Sequence, residues 1–335
     1  MLGDRDFQEM LVEFRALGGV ADNLRMGEGP LGRGLFAIDP AQPVRLHVPE
    51  NLLIDSDQVV LENGRLVAAP DAPLGARERQ FFGDFQARFS WGSSGRAEVE
   101  RIFEEAAQLP QSLRMTLGGQ FHCGAWFEPY SEDAVLRQFL GSRHFSYGER
   151  TVLMPMLELI NHGQALNFEM AGGITVQGRV ENEALVRYSD ADSFSVFQAW
   201  GFAAEQPQAM CISLNGNVGG TQIRIQRDFT DFKSSGVPWI PRVTRTPERL
   251  ELEYLMIGNR QYPRLCKGIF YKLMHDAGLQ GYEEAFDRIQ QTNQMHFLRL
   301  LEALEGVNAP MAVTLRRMAR MQLETMSYSF GVRAM

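Results

Sequence analysis

Val152-Leu153-Met154-Pro155-Met156-Leu157-Glu158-Leu159-Ile160-Asn161-His162 is the stretch on which the reading of this chain turns. An apolar run leads directly into an Asn-His pair, and Asn167 follows as a second polar anchor. Burial favours apolar side chains, so an amide and an imidazole at the end of such a run must be hydrogen-bonded or must serve a ligand. Downstream, Leu185-Val186-Arg187-Tyr188 reads as a short strand ending on a tyrosine, and Trp200-Gly201-Phe202 closes the region. Taken bare, such residues are more often satisfied turn and core groups than parts of a site. The order of the elements around them separates the two.

On the N-terminal side, residues 4–17 place Phe7, Met10, Leu11, Phe14 and Leu17 on one helical face, with Gly18-Gly19 as the stop. Gly27-x-Gly29-x-x-Gly32 matches the dinucleotide fingerprint letter for letter. That fingerprint needs a strand before it and a helix after it, so that the helix N-terminus faces a pyrophosphate. Here residues 35–38 read as a strand ended by Asp39-Pro40, no βαβ unit follows, and the dinucleotide reading is set aside. Residues 43–49 read as another strand, and 59–68 as a hairpin turning on Asn63-Gly64. A proline- and alanine-rich linker, 70–76, leads to helical periodicity over 78–89 (Phe81, Phe82, Phe85, Phe89) and 97–109 (Val99, Ile102, Phe103, Ala106). Ser131 heads a third helix with a capping-box pattern (Ser131, Ala134, Val135, Phe139), ending near Ser142-Arg143-His144-Phe145.

On the C-terminal side, residues 167–175 and 183–188 read as strands, and 211–229 as two more around Asn215-Gly216-Asn217 and Gly219-Gly220. From Pro247 the pattern is predicted helical over 249–259, 263–277, 283–304 and 310–328. The stripes there (Leu250, Tyr254, Leu255; Phe297, Leu300, Leu301, Leu304) read as bundle core.

The composition, 335 residues with 44% hydrophobic and 22% charged, is that of a globular chain long enough for two or three domains. A net charge of −8 offers nothing to nucleic-acid phosphates, and Arg316, Arg317 and Arg320 read as a solvated helix face. Three cysteines, far apart and without CxxC or HExxH, point to a reducing compartment with no disulfide frame and no metal. The N-terminus is acidic and amphipathic, and no apolar run reaches spanning length, so the expected location is cytoplasmic with no membrane association.

Four blocks then carry a resemblance. Gly32-Arg33-Gly34-Leu35-Phe36-Ala37, Ser142-Arg143-x-Phe145, Pro155-Met156-x-x-Leu159-Ile160-Asn161-His162, and Leu185-Val186-x-Tyr188 with Trp200-Gly201-Phe202 resemble, in order, the motifs of SET-domain methyltransferases. The class is that of Rubisco large-subunit lysine methyltransferase and its relatives, and the resemblance spans roughly residues 18–330. It implies an α+β protein, a β-rich SET fold with a pseudoknot core, a helical insert and an all-helical C-terminal module. The corresponding division is 1–76 for the N-terminal helix and first half of the SET domain, 77–141 for the insert, 142–244 for the second half with the cofactor and catalytic motifs, and 245–335 for a substrate-docking module.

The resemblance also implies S-adenosylmethionine as cofactor and a protein substrate, methylated on lysine or, in one branch, histidine. Gly32, Arg33 and Gly34 would pass close to the cofactor, and Arg143 would pair with its carboxylate. Asn161 and His162 would hold its ammonium and adenine, largely through main-chain groups. Glu158 stands where relatives carry aspartate, Tyr188 would stand at the reaction centre, and Trp200 and Phe202 would wall the substrate channel. Four features depart from the family pattern: Gly163 for a serine, Ser189 for a glycine, Trp200 for the first aromatic of YGF, and Glu181-Asn182-Glu183 for the acidic pair that opens the last strand. They leave open a SET-fold protein that binds without turnover.

Overall fold

The computed structural model describes residues 4–228 and 240–329, and these divide into two compact units. The first comprises Met1–Arg101 with Tyr130–Tyr188, and the second Ile102–Pro129 with Ser189–Met335.

The first unit is organised by its phenylalanines. Helices α1 (Asp4–Ala16) and α2 (Ala76–Phe89) present the predicted stripes to each other. Phe14 stacks on Phe81 at 5.9 Å, Phe81 on Phe85 at 6.4 Å and Phe85 on Phe89 at 6.1 Å, and Phe7 closes the row edge-on against Phe89. These rings share one core with Leu46, Val48, Ile160, Ile174 and Val186. The core lies against a four-stranded antiparallel sheet in the order Val20–Asp22, Val44–Pro49, Gly173–Gly178, Phe168–Met170.

The glycine-rich stretch forms an antiparallel hairpin, Leu24–Gly29 against Gly32–Ala37, which disposes of the dinucleotide reading. Asn63-Gly64 turns a second hairpin with φ of +50° and +78°, the conformation two-residue hairpin loops require. Asn161–Leu166 runs parallel to Leu185–Val186. The expected strand over 183–188 is thus only two residues long, and the one over 167–175 is broken at Ala171-Gly172 into Phe168–Met170 and Gly173–Gly178.

Between the halves lie α3 (Arg96–Ala107), α4 (Gln111–Gln120) and α5 (Glu132–Arg143). The sequence reading passed over α4. The Ser131 side chain accepts from the Ala134 N–H and caps α5 as predicted.

In the second unit, α6 (Ser193–Trp200) begins at an Asp192 N-cap and ends at Gly201, in the left-handed conformation (φ +77°) common at helix ends. Leu214–Val218 and Thr221–Ile225 form the hairpin expected around Gly219-Gly220; Phe229, the last residue of that expectation, lies outside the described residues. The helix expected over 249–259 is instead two strands, Arg249–Leu252 and Met256–Asn259. Leu250 and Leu252 are buried while Arg249 and Glu251 face outward and pair at 2.6 Å, a period of two that the i, i+4 match to Tyr254 had masked. Arg249–Leu252 adds in parallel to Thr221–Ile225 and antiparallel to Val243–Arg245. The expected division at 244/245 therefore falls inside one sheet, and the helical segment begins only with α7 (Leu265–Asp276), α8 (Ala285–Ala303) and α9 (Pro310–Ser329).

Cys123, Cys211 and Cys266 are buried free thiols that burial pushes up to about 12. Among the described residues no helix is long and apolar enough to cross a membrane, and no group of His, Cys, Asp or Glu could hold a metal ion.

Candidate active site

Of the residues expected at the site, those of the first unit gather around the stretch 158–162. Leu157–Leu159 is a single 3₁₀ turn between Arg150–Leu153 and Asn161–Leu166. Before it, Met156 adopts a positive φ of +73°, a conformation unfavourable for a non-glycine residue and held here by complete burial.

Asn161 is the pin. Its amide NH₂ donates to the Arg33 carbonyl at 3.1 Å and to Glu183 Oε1 at 2.7 Å. Both amide hydrogens are thereby engaged, and Oδ1 remains as an acceptor. Residues 182–184 in turn add to Gly32–Ala37, through Ala37 N–H to Asn182 O and Ala184 N–H to Leu35 O, both 2.8 Å. Gly34 lies at this crossing. A Cβ there would strike Glu183 Oε1 and approach Asn161 Nδ2 to 2.7 Å, so only glycine admits the contact. Gly163 has a similar cause. A Cβ would lie 2.6 Å from that of Leu185 on the parallel strand, which accounts for the glycine.

His162 and Tyr188 face each other with ring centroids 5.2 Å apart. The Tyr188 N–H donates to His162 Nδ1 at 3.2 Å, so Nδ1 accepts and Nε2 carries the proton. Burial, and then the Arg187 charge, push the His162 imidazole down to about 4. In the unfolded chain it titrates near 6.5. The unfolded state thus binds the extra proton between those values, and His162 costs the folded protein stability as pH falls from 6.5 towards 4. The loss is at most ~1.4 kcal/mol per pH unit, and less because the ring is partly solvated. Relative to a His162→Asn variant, wild-type stability in urea is expected to decline as pH drops through this window. A difference between the two that stays constant with pH would refute the assignment.

The Tyr188 hydroxyl donates to the Ile160 carbonyl at 2.5 Å. Burial first, with Glu158 and Glu183 adding and Arg143 opposing, pushes it up to about 12, so it stays un-ionised. Arg143, at the end of α5, stacks its guanidinium over Phe139 at 4.7 Å, donates to Ser142 Oγ at 2.6 Å and approaches Glu158 Oε2 to 3.5 Å. Arg33 donates to the Phe89 carbonyl at 2.6 Å and to Ser93 Oγ at 2.8 Å, tying the glycine hairpin to the turn after α2. Burial pulls its pKa below the ordinary arginine value.

Glu158 is buried, its side chain 3% exposed, with its oxygens on Gln86 Nε2 (3.0 Å) and Ser90 Oγ (2.7 Å). Burial raises its pKa, while Arg143, Ser90, Gln86 and Arg33 pull the other way.

The structure thus brings together Gly32, Arg33, Gly34, Arg143, Glu158, Asn161, His162 and Tyr188. Trp200 and Phe202 belong to the second unit, Trp200 half-buried as the last residue of α6 and Phe202 exposed. Asn167, expected as a second anchor, is exposed, because it follows the buried Leu166 at the end of its strand. Sequence reasoning missed Gln86, Ser90 and Glu183. Gln86 carried a signal, a polar side chain inside the phenylalanine stripe of α2, whereas Glu183 was visible only as part of an acidic cluster.

No family model and no curated protein matches the chain. Among solved structures it is similar to the SET domain of LSMT bound to lysine and AdoHcy, at 12% identity and a TM-score of 0.40, over 97% of this chain and 90% of that one. It is likewise similar to Rubisco LSMT bound to AdoMet, at 14% identity and a TM-score of 0.41, over 97% of this chain and 91% of that one. Likeness at this level transfers no residue role.

Proposed function

We propose that this protein transfers a methyl group from S-adenosylmethionine to a side-chain nitrogen of a protein, a lysine amine in the first place, with Tyr188 at the reaction centre. The observation that carries this reading is the convergence on 158–162 of a guanidinium, a free amide oxygen and an un-ionised tyrosine hydroxyl pinned to a main-chain carbonyl.

The residues present fit that cofactor. Arg143 suits its carboxylate and the Asn161 Oδ1 its ammonium, since both Asn161 donors already have partners. The hairpin at Gly32-Arg33-Gly34 offers main-chain groups, with a side chain sterically excluded at Gly34. His162, neutral at physiological pH, adds no positive charge that would repel a sulfonium. Bound there, S-adenosylmethionine supplies an electrophilic methyl on a cationic sulfur.

The chain's own part is alignment and desolvation. Because the Tyr188 proton is engaged by Ile160 O, the phenolic oxygen is fixed in direction and turns its lone pairs elsewhere. Such an oxygen can accept the weak CH···O contacts a polarised methyl offers. A phenol with a pKa near 12 is no base at neutral pH, so the accepting amine loses its proton to solvent as its surroundings dry. Alignment of this kind is worth roughly 7–11 kcal/mol at best.

Calorimetry with S-adenosylmethionine tests the reading. Binding is expected in wild type, and Arg143→Ala should weaken it by about 1.5–3 kcal/mol through loss of a charge-assisted pair. Absence of binding at millimolar ligand would reject the reading.

A further inference from the structure

We propose that Gln86 and Ser90 are positioning residues, which hold the Glu158 carboxylate so that it fixes the Arg143 guanidinium for an anionic ligand group. This rests on the reading above that Arg143 receives a carboxylate, and it adds to the site two residues from the helical insert.

Gln86 and Ser90 are 0% and 4% exposed, among the few buried polar side chains of the first unit. Gln86 sits among Phe81, Phe82, Phe85 and Phe89, where packing alone would favour another apolar side chain. It is satisfied from both ends. Its Nε2 donates to Glu158 Oε1, and its Oε1 accepts from the Trp91 N–H at 3.5 Å. Ser90 donates to Oε2, the same oxygen that lies 3.5 Å from Arg143 Nε. The carboxylate is therefore oriented by two neutral donors before it meets the guanidinium.

Arg143 is held on three sides. Its face lies on Phe139, one amino group donates to Ser142, and its Nε edge looks at Glu158. Among the described residues the other amino group is approached by Glu98 alone, at 3.9 Å and half exposed, so this is the edge a ligand can take.

The turn that carries Ser90 is built for the purpose. Trp91–Gly95 is a single π-helical turn between α2 and α3, a wider coil that recurs at functional sites. A Cβ on Gly95 would lie 2.6 Å from the Phe139 ring, so the turn packs directly on the platform beneath Arg143. Gln86 and Ser90 on α2 and its turn, Arg143 on α5 and Arg33 on the glycine hairpin face Glu158, and all four favour its ionised form against the burial that opposes it. Without the two neutral donors, the carboxyl protonates at higher pH and releases Arg143.

The experiment measures affinity by calorimetry for two ligands across pH 5 to 8. S-adenosylhomocysteine carries the carboxylate, and 5′-methylthioadenosine lacks it. In Ser90→Ala and Gln86→Leu, affinity for S-adenosylhomocysteine should fall about tenfold, with a larger fall in the double variant. The pH below which that affinity is lost should move upward, while binding of 5′-methylthioadenosine stays as in wild type. Unchanged affinity and pH profile for S-adenosylhomocysteine in folded variants overturns the positioning role alone. A parallel loss of both ligands overturns it too, since it marks general damage to the pocket. A wild-type protein that binds neither ligand overturns the functional reading and this inference with it. Should Gln86→Leu fail to fold, Ser90→Ala decides by itself, because it removes a single oxygen atom.

Discussion

Tyr188→Phe is expected to lower methyl transfer by about a hundredfold or more, several kcal/mol in the transition state, with cofactor affinity almost unchanged. The substitution deletes one oxygen and leaves the ring packed against His162 and the core of the first unit. The stability cost is one hydrogen bond, to Ile160 O, worth about 1 kcal/mol. A tyrosine that merely capped the core would lose only that. The present geometry argues for more, because the hydroxyl is half-buried, un-ionised and pinned to the carbonyl immediately before Asn161. Under the proposed reading this oxygen is the atom that contacts the transferring methyl group. Tritium transfer from labelled S-adenosylmethionine to host-cell lysate proteins measures the effect. Labelling by the phenylalanine variant at the wild-type rate would remove Tyr188 from the mechanism.

The largest stability effect is expected at Arg227, in the second unit. Arg227 and Asp192 are completely buried and bind each other by two parallel contacts, Nη2 to Oδ1 at 2.8 Å and Nη1 to Oδ2 at 3.0 Å. Asp192 also caps α6, accepting from the Ser195 N–H at 3.0 Å and the Ser195 hydroxyl at 2.9 Å. Arg227→Met leaves the carboxylate buried without its counter-charge, and breaking such a pair from one side costs about 3–5 kcal/mol. The double variant Asp192→Asn with Arg227→Met should be less damaged than Arg227→Met alone. No unpaired charge then remains, and asparagine still caps the helix. Urea unfolding of the two variants and of Asp192→Asn completes a double-mutant cycle. A loss below about 0.5 kcal/mol for Arg227→Met, the range of an ordinary surface change, would show that the pair does not matter.

Much of this architecture was legible in the sequence because its cause is local. The phenylalanine stripes of α1 and α2 follow from helical period, the Asn63-Gly64 turn from residues that accept positive φ, and the cap of α5 from a serine hydroxyl three residues before the N–H it serves. The glycine fingerprint was rejected on the absence of a following helix, and the chain forms a hairpin there. Within the site, Arg143, Asn161, His162 and Tyr188 were named from short motifs, and tertiary structure brings all four together.

What the sequence left open was decided by partners distant along the chain. Residues 249–259 match both a helical and an alternating pattern, and the strand form prevails because Thr221–Ile225 and Gln208–Met210 offer open edges to pair with. The Glu158 oxygens lie on Gln86 and Ser90, 72 and 68 residues away, a pairing no local pattern carries. Glu183 became part of the site only through Asn161 and the steric demand at Gly34. Sequence by itself determined the elements whose stability comes from neighbours three or four residues apart, together with the identity of the residues able to do chemistry. Only tertiary structure decided which strand edges pair and where each buried carboxylate finds its donors, since those free energies belong to contacts between segments that propensity and period cannot see.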